Sequence, residues 1–491
     1  MKTPSISRRS LLTAAAAGGA ATLIGQGPSL IGGALASAES ESSQIVSWAG
    51  PHQAGITTPG QRHLQICAFD VTATNRAQLI DLLTKWQRAI EVLTVGQQLP
   101  GSTAPTVAPS DTGEAAGQTA SHLTITIGFG ATLFDGRFGL ASQRPAALID
   151  LPAFKGDQLN TAISGGDLSV QACADSRFVA EHAVRMLARV GKGLAELRWL
   201  QSGFDEPPAR ADQGSGRNLF GTKDGTSNLD RSDDARMRRN VWVSSEDGPA
   251  WMANGTYQVY RRVNMTIETW DDSPLEEQED VIGRRKASGA PFGGTREFDP
   301  VDVSKLPIHC HVRLSNPRTG TASEDERILR RGYSFHDGIN PTTGEYDAGL
   351  AFIAYQRDPR RQFVTIQTRL AENDTLNEYL FHTASGIFAI PPGAPSGQFV
   401  GAGLFATPGS PPPADAPPAG GDDAPPAGPP AGGGGTPPPA GGGGTPPPAG
   451  GGTPPPAGGA GGAGRAVRPP ARAAGRPKHP HRHRRPKPKR D

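Results

Sequence analysis

The residues with most chemistry to offer crowd into one stretch, Ile308–Phe335, which reads IHCHVRLSNPRTGTASEDERILRRGYSF. Two runs inside it, Ile308–Leu314 and Ile328–Phe335, alternate apolar residues with others. The spacing predicts two strands flanking a polar loop rich in Gly, Ser, Thr and Asn. Side chains two apart on a strand share a face, so His309, His311 and Arg313 would lie together, opposite Cys310 and Val312. Imidazole ligates haem iron and zinc, so a ligand pair is one reading of this face. A solvated strand with incidental histidines is the other, and spacing alone leaves the two even.

A second short motif is Gly221-Thr222-Lys223-Asp224-Gly225. Alone, such a loop is ordinary turn chemistry. Together with HVRLSNPRTG and ILRRGYSF, in that order, it resembles the paired signatures of the dye-decolourising peroxidases. This haem family includes the secreted deferrochelatase/peroxidase branch of bacterial iron uptake. The similarity runs from about His52 to about Pro392.

The resemblance implies haem b as cofactor, and His311, which precedes Val-Arg-Leu, as axial ligand to its iron. His309 is the chemical competitor. It further implies Asp224 as the carboxylate on the opposite side of the porphyrin and Arg330 as the arginine beside it. Arg331, one residue on, would replace Arg330 after a one-residue slip. Gly225 and Thr226 are implied as cofactor contacts. A carboxylate from the late segment ENDTLNEYL would hold the second nitrogen of the ligating histidine, Asp374 ahead of Glu378. The implied activity is reduction of hydrogen peroxide with oxidation of bulky aromatic or dye-like donors. Release of iron from haem is the alternative, and a non-catalytic haem carrier the third. A carrier has no use for a base and a cation facing peroxide.

The elements that must position these residues follow from periodicity. His63–Val71 reads as a strand, and Arg76–Leu93 places Leu79, Leu82, Leu83, Trp86, Ile90 and Leu93 at helical spacing behind the cap candidate Asn75. Leu123–Phe129, Ser169–Ala174 and Leu194–Phe204 read as strands, with a helix over Arg177–Val190. Thr256–Thr269 reads as a strand, Leu275–Ile282 as a helix, and Leu350–Gln356, Phe363–Leu370 and Tyr379–Ile390 as strand, helix and strand. Two strand-rich halves with helices on one side predict an α+β protein with largely antiparallel sheets. The resemblance adds two ferredoxin-like halves, 39–235 and 236–406, with haem held by the second.

The formal charge of +2 hides an uneven distribution. Residues 1–38 carry +3 and residues 465–491 carry +10, which leaves −11 on the body between them. An acidic body argues against a nucleic-acid-binding fold, and the basic tip is suited to polyanions. Arg8-Arg9, an apolar run and Ala36-Ser37-Ala38 read as a twin-arginine export signal over 1–38, cleaved near Glu39 and recognised by that export machinery. That route carries folded, cofactor-loaded proteins to the periplasm, envelope or exterior, where iron-uptake partners would also reside. Over 407–491, TPPPAGGGG-type units begin at Thr436, Thr445 and Thr453, and such a tract has too little to bury to fold. Cys67, Cys173 and Cys310 show no zinc spacing and no disulfide framework, and are expected as buried thiols.

Overall fold

The computed structural model describes residues 44–102, 104–206 and 214–406. Its strands are β1 (His63–Val71), β2 (Thr124–Gly130), β3 (Leu168–Ala174), β4 (Ala195–Phe204), β5 (Thr256–Met265), β6 (Leu329–Arg330), β7 (Tyr333–Ile339), β8 (Tyr346–Gln356) and β9 (Leu380–Ile390). The α-helices are α1 (Arg76–Leu93), α2 (Arg177–Val190), α3 (Asp234–Asn240), α4 (Ile267–Asp271), α5 (Leu275–Ile282), α6 (His311–Ser315), α7 (Thr321–Asp325) and α8 (Phe363–Asn373). Among the described residues no helix is long and apolar enough to cross a membrane.

One antiparallel sheet, rather than two, runs through both halves. β5 pairs with β9 and β8, and the strands follow in the order β5-β9-β2-β3-β1-β4-β7-β8, so eight strands close into a barrel, with the short β6 continuing the line of β7 along the same edge of β8. The halves meet at two narrow seams, Phe129↔Ala389 with Gly130↔Phe388, and Phe204↔Ser334. Closure leaves strands buried on both faces. In β1 the alternation sorts Leu64, Ile66 and Ala68 into the barrel's apolar interior and Cys67, Phe69 and Val71 under the helices. Tyr260, Tyr333, Tyr355 and Phe388 fill that interior from other strands.

Local signals account for most helix ends. Asn75 caps α1 by accepting the Gln78 N–H at 3.0 Å, and the helix buries Leu79, Leu82, Leu83, Trp86, Ile90 and Leu93. At the end of α5, Gly283 takes φ 89°, and a Cβ there would stand 2.6 Å from the Cys310 sulfur. Glycine therefore both ends α5 and lets the segment before α6 pack against it. All three cysteines are free and buried, as expected.

Two expectations are overturned. Ile308–Leu314 is not a strand: Ile308 and His309 form a turn, and α6 begins at His311. Pro307 just upstream and the Leu314 N–H to Cys310 O bond (3.1 Å) favour a turn into a helix over a sheet ladder. His309 and His311 therefore do not share a strand face. The strand at Thr256 stops at Met265, and Ile267–Asp271 is helical where the apolar pattern had continued to Thr269.

Candidate active site

Beneath the helices of the second half, the outer face of β5 and β8 is not covered by packed side chains. Val263, Met265, Leu350 and Phe352 form the floor of a cavity walled by Ile282 of α5 and Ile366 of α8. Counted together with its open mouth, the space amounts to about 1590 Å³. His311, Asp224, Gly225, Thr226, Arg330 and Asp374 all line it.

His311 stands in the first turn of α6. Its Nδ1 lies 2.7 Å from Asp374 Oδ2, while Asp374 Oδ1 accepts the Leu376 N–H at 2.9 Å. Asp374 caps the short helix Thr375–Glu378, which fixes the carboxylate, and it is 6% exposed. Burial lowers the proton affinity of the His311 ring, but the Asp374 charge and hydrogen bond outweigh it and hold the ring above its ordinary value. Glu378 is exposed and, with His309, bounds a neighbouring cavity on the other side of Asp374, which lines both. The backbone carbonyl of His309 instead accepts the Thr375 N–H at 3.1 Å, pinning α6 to the Asp374 segment.

Asp224 sits between glycines with positive φ, Gly221 at 72° and Gly225 at 95°, and its N–H donates to Gly216 O at 3.0 Å. Arg217 ties the loop down through the carbonyls of Gly221, Lys286 and Ala287. Arg330 Nη1 reaches Asp224 Oδ1 at 2.8 Å. Asn228 holds the Arg330 backbone at both ends, accepting its N–H (2.9 Å) and donating to its carbonyl (2.7 Å). Burial works to raise the Asp224 carboxyl, yet the charges of Arg330 and His311 and the Arg330 hydrogen bond hold it below the usual carboxylate range. Arg331 points elsewhere: it is 3% exposed and donates to Thr58 O, Pro59 O and Gln61. Thr226 lines the cavity, but its hydroxyl donates to Glu297 at 2.8 Å.

Three cations were not anticipated. Arg284, Arg318 and Arg327 line the same cavity and hydrogen-bond to backbone carbonyls of Gly289, Glu297, Val312, Asn316 and Ser227. Glu324 reaches Arg327 at 3.6 Å. Burial, and then repulsion by Arg284 and Arg327, pushes the Arg318 guanidinium down. Such a group is prepared to receive an anion. Arg284 comes from just past the end of α5, whereas Arg318 and Arg327 lie within the Ile308–Phe335 stretch, Arg318 inside the HVRLSNPRTG motif, where nothing local marks them as lining a cavity.

Two family models cover most of the described chain: Dyp-type peroxidase, N-terminal, over residues 53–205, and Dyp-type peroxidase, C-terminal, over 215–395. The chain belongs to the Dyp-type peroxidase family. It is a haem peroxidase. It is 38% identical over 367 residues to a deferrochelatase of Escherichia coli strain UTI89, covering 72% of this chain and 86% of that one. Against the K12 deferrochelatase, identity is 39% over 354 residues, with 70% and 83% covered. Among solved structures, a DyP-type peroxidase of Streptomyces coelicolor matches with TM-score 0.68 at 39% identity, over 74% of this chain and 97% of that one. Ferric DtpA from Streptomyces lividans matches with the same score, identity and coverage.

Proposed function

We propose that this peroxidase is an exported haem b enzyme in which His311 ligates the iron, Asp224 and Arg330 activate hydrogen peroxide, and bulky aromatic or dye-like donors are oxidised. The observation that carries this reading is the Asp224–Arg330 ion pair in a cavity that His311, bonded to Asp374, also lines. The residues present suit the cofactor. With Nδ1 held by Asp374, His311 has Nε2 left for a metal bond, apolar side chains suit a porphyrin face, and Arg284, Arg318 and Arg327 suit its carboxylates. The chain order β-α-β-β-α-β of the first half, which the second follows once α4–α7 count as one helical segment and β6 and β7 as one interrupted strand, supports two ferredoxin-like halves, 39–235 and 236–406, with haem in the second.

Bound haem supplies an iron that takes up peroxide and passes its two oxidising equivalents to the donor. Everything else falls to side chains. Asp374 keeps the proton on Nδ1 and raises the electron donation of His311. Asp224, ionised because Arg330 holds it so, accepts the proton of the near peroxide oxygen and returns it to the far one, which leaves as water. Arg330 offsets the negative charge that builds on the departing oxygen. Gly225 permits the turn that aims Asp224, and Thr226 braces the loop through Glu297.

Arg8-Arg9 and Ala36-Ser37-Ala38 support export through the twin-arginine machinery, although residues 1–38, like the tail 407–491, lie outside the described residues. The basic end of that tail is suited to polyanions, and nothing in the acidic body suggests a nucleic-acid partner. The deferrochelatase relatives favour a second reading, iron release from haem beside iron-uptake partners. Stopped-flow mixing of haem-loaded Arg330→Leu with peroxide tests the first. The Soret change should slow on the order of a hundredfold to a thousandfold. A rate within twofold of wild type contradicts the assignment, and iron release with intact porphyrin favours the second reading. In the wild type, peroxide reactivity should persist into acid and fall only as pH drops through the depressed Asp224 value, where the base becomes protonated.

A further inference from the structure

A side cavity adjoins the first and shares Asp224, Gly225 and Arg330 with it; Asp205, Arg231 and Tyr333 are among the other residues that line it. Asp205 follows the last residue of β4, and the pairing of Phe204 with Ser334 brings it beside the Arg330–Tyr333 segment. Its Oδ1 would lie 3.7 Å from a Cβ on Gly216, and the Gly216 carbonyl accepts the Asp224 N–H at 3.0 Å. Gly216, without a side chain, therefore lies beside the Asp205 carboxylate and against the Asp224 backbone, and both acids line the same side cavity.

Among the described residues, the charged groups facing Asp205 are few. Glu206, its chain neighbour, is paired with Arg62 at 2.9 Å, and Arg331 is committed to the carbonyls of Thr58 and Pro59. Arg231 has a buried Nε with no hydrogen-bond partner among the described residues. Burial, and then the charge of Asp224, hold the Asp205 carboxyl above the usual carboxylate range, whereas Asp224 lies below it. Two carboxyls driven apart in this way divide into an acid and a base.

We propose that Asp205 passes protons from solvent to Asp224 through the side cavity. This rests on the reading of Asp224 and Arg330 as the peroxide-activating pair. Reduction of one peroxide to two waters consumes two electrons and two protons. The donor supplies the electrons, while the Asp224 shuttle only moves a proton that peroxide already carries. The two further protons come from the donor as it is oxidised or from solvent, and where a bulky donor yields electrons from outside the pocket the protons must travel to the peroxide site separately. Asp205 holds a proton, gives it to ionised Asp224 directly or through one water beside Gly216, and is reprotonated from solvent. Asp205 touches no reacting atom, so it is a positioning residue for the proton rather than a catalytic one.

The test uses the haem-loaded full chain. In Asp205→Asn the first phase after mixing with peroxide should stay within twofold of wild type. Steady-state kcat should fall about tenfold, less than the roughly hundredfold or more of a directly acting acid–base group. The solvent deuterium isotope effect on kcat should grow, and Asp205→Glu should restore both. Unchanged kcat and isotope effect in Asp205→Asn overturn the proposal, as does an Asp205→Glu variant as slow as the Asn form. Asp224→Asn is run alongside and should slow the first phase. If it does not, the pair assignment fails and the Asp205 relay falls with it; if it does, failure in Asp205→Asn concerns the relay alone.

Discussion

The two halves use the space beneath their helices in opposite ways. In the first half, α1 and α2 seal the sheet with Leu79, Leu82, Trp86, Val179, Ala183 and Leu187, and Trp86 donates its indole N–H to Leu187 O at 2.9 Å. In the second, α5 has 8 residues and α8 has 11 against 18 and 14 for α1 and α2, and the shorter helices leave the cavity over β5 and β8. One half is filled with side chains and the other with room for a cofactor. Stability and chemistry are thus held apart: a packed layer on one side, a pocket lined by arginines on the other.

The largest effect should come from breaking the packed layer. Trp86→Ala removes a side chain 1% exposed that also meets Phe69 edge-on at 5.1 Å. It should cost about 3–5 kcal/mol of unfolding free energy. Calorimetry of the haem-loaded protein should show that loss, while haem per folded chain stays that of wild type. A parallel fall in haem content would mean that the halves do not divide the work as described.

A smaller effect, confined to the hollow half, is expected from Asp374→Asn. The amide can still cap Leu376 but no longer offers His311 a charge, and supporting groups of this kind are worth about 10–100-fold in metal affinity. Haem transfer to apo-myoglobin should therefore accelerate, whereas Glu378→Gln, altering an exposed side chain, should leave it unchanged. Equal behaviour of the two variants would count against the Asp374 contact.

The sequence made the packed half far more legible than the hollow one. The apolar stripe of α1 specifies its helix, its face and its cap, because a dry interface is a periodic one. Around the cavity, periodicity misleads. Ile308–Leu314 alternates like a strand yet turns into α6, since Asp374 and the Thr375 bond to His309 O reward a conformation that local pattern does not encode. In β5 every residue is buried, one face in the barrel and the other towards the helices, so alternation conveys nothing about which face lines the site. His311, Asp224 and Arg330 were reachable only through the motifs around them; Arg318 sits inside one motif and Arg327 beside the other without any mark of its role, and Arg284 lies outside both.

The least effect belongs to the tail. From composition, residues 407–491 have no apolar face to add to either half, so truncation after Ala406 should change haem content and peroxide reactivity by less than twofold. A large loss of folded, haem-loaded protein would show that the tail takes part in the fold.

The central claim is that the hollow half holds haem on His311. It is tested most directly by haem stoichiometry of two variants purified side by side, His311→Ala and His309→Ala. The first should lose its haem or bind it with greatly reduced affinity, because the cavity then has no imidazole backed by Asp374. The second should load like wild type, because the His309 ring bounds a different cavity. Equal haem occupancy in the two variants would contradict the assignment.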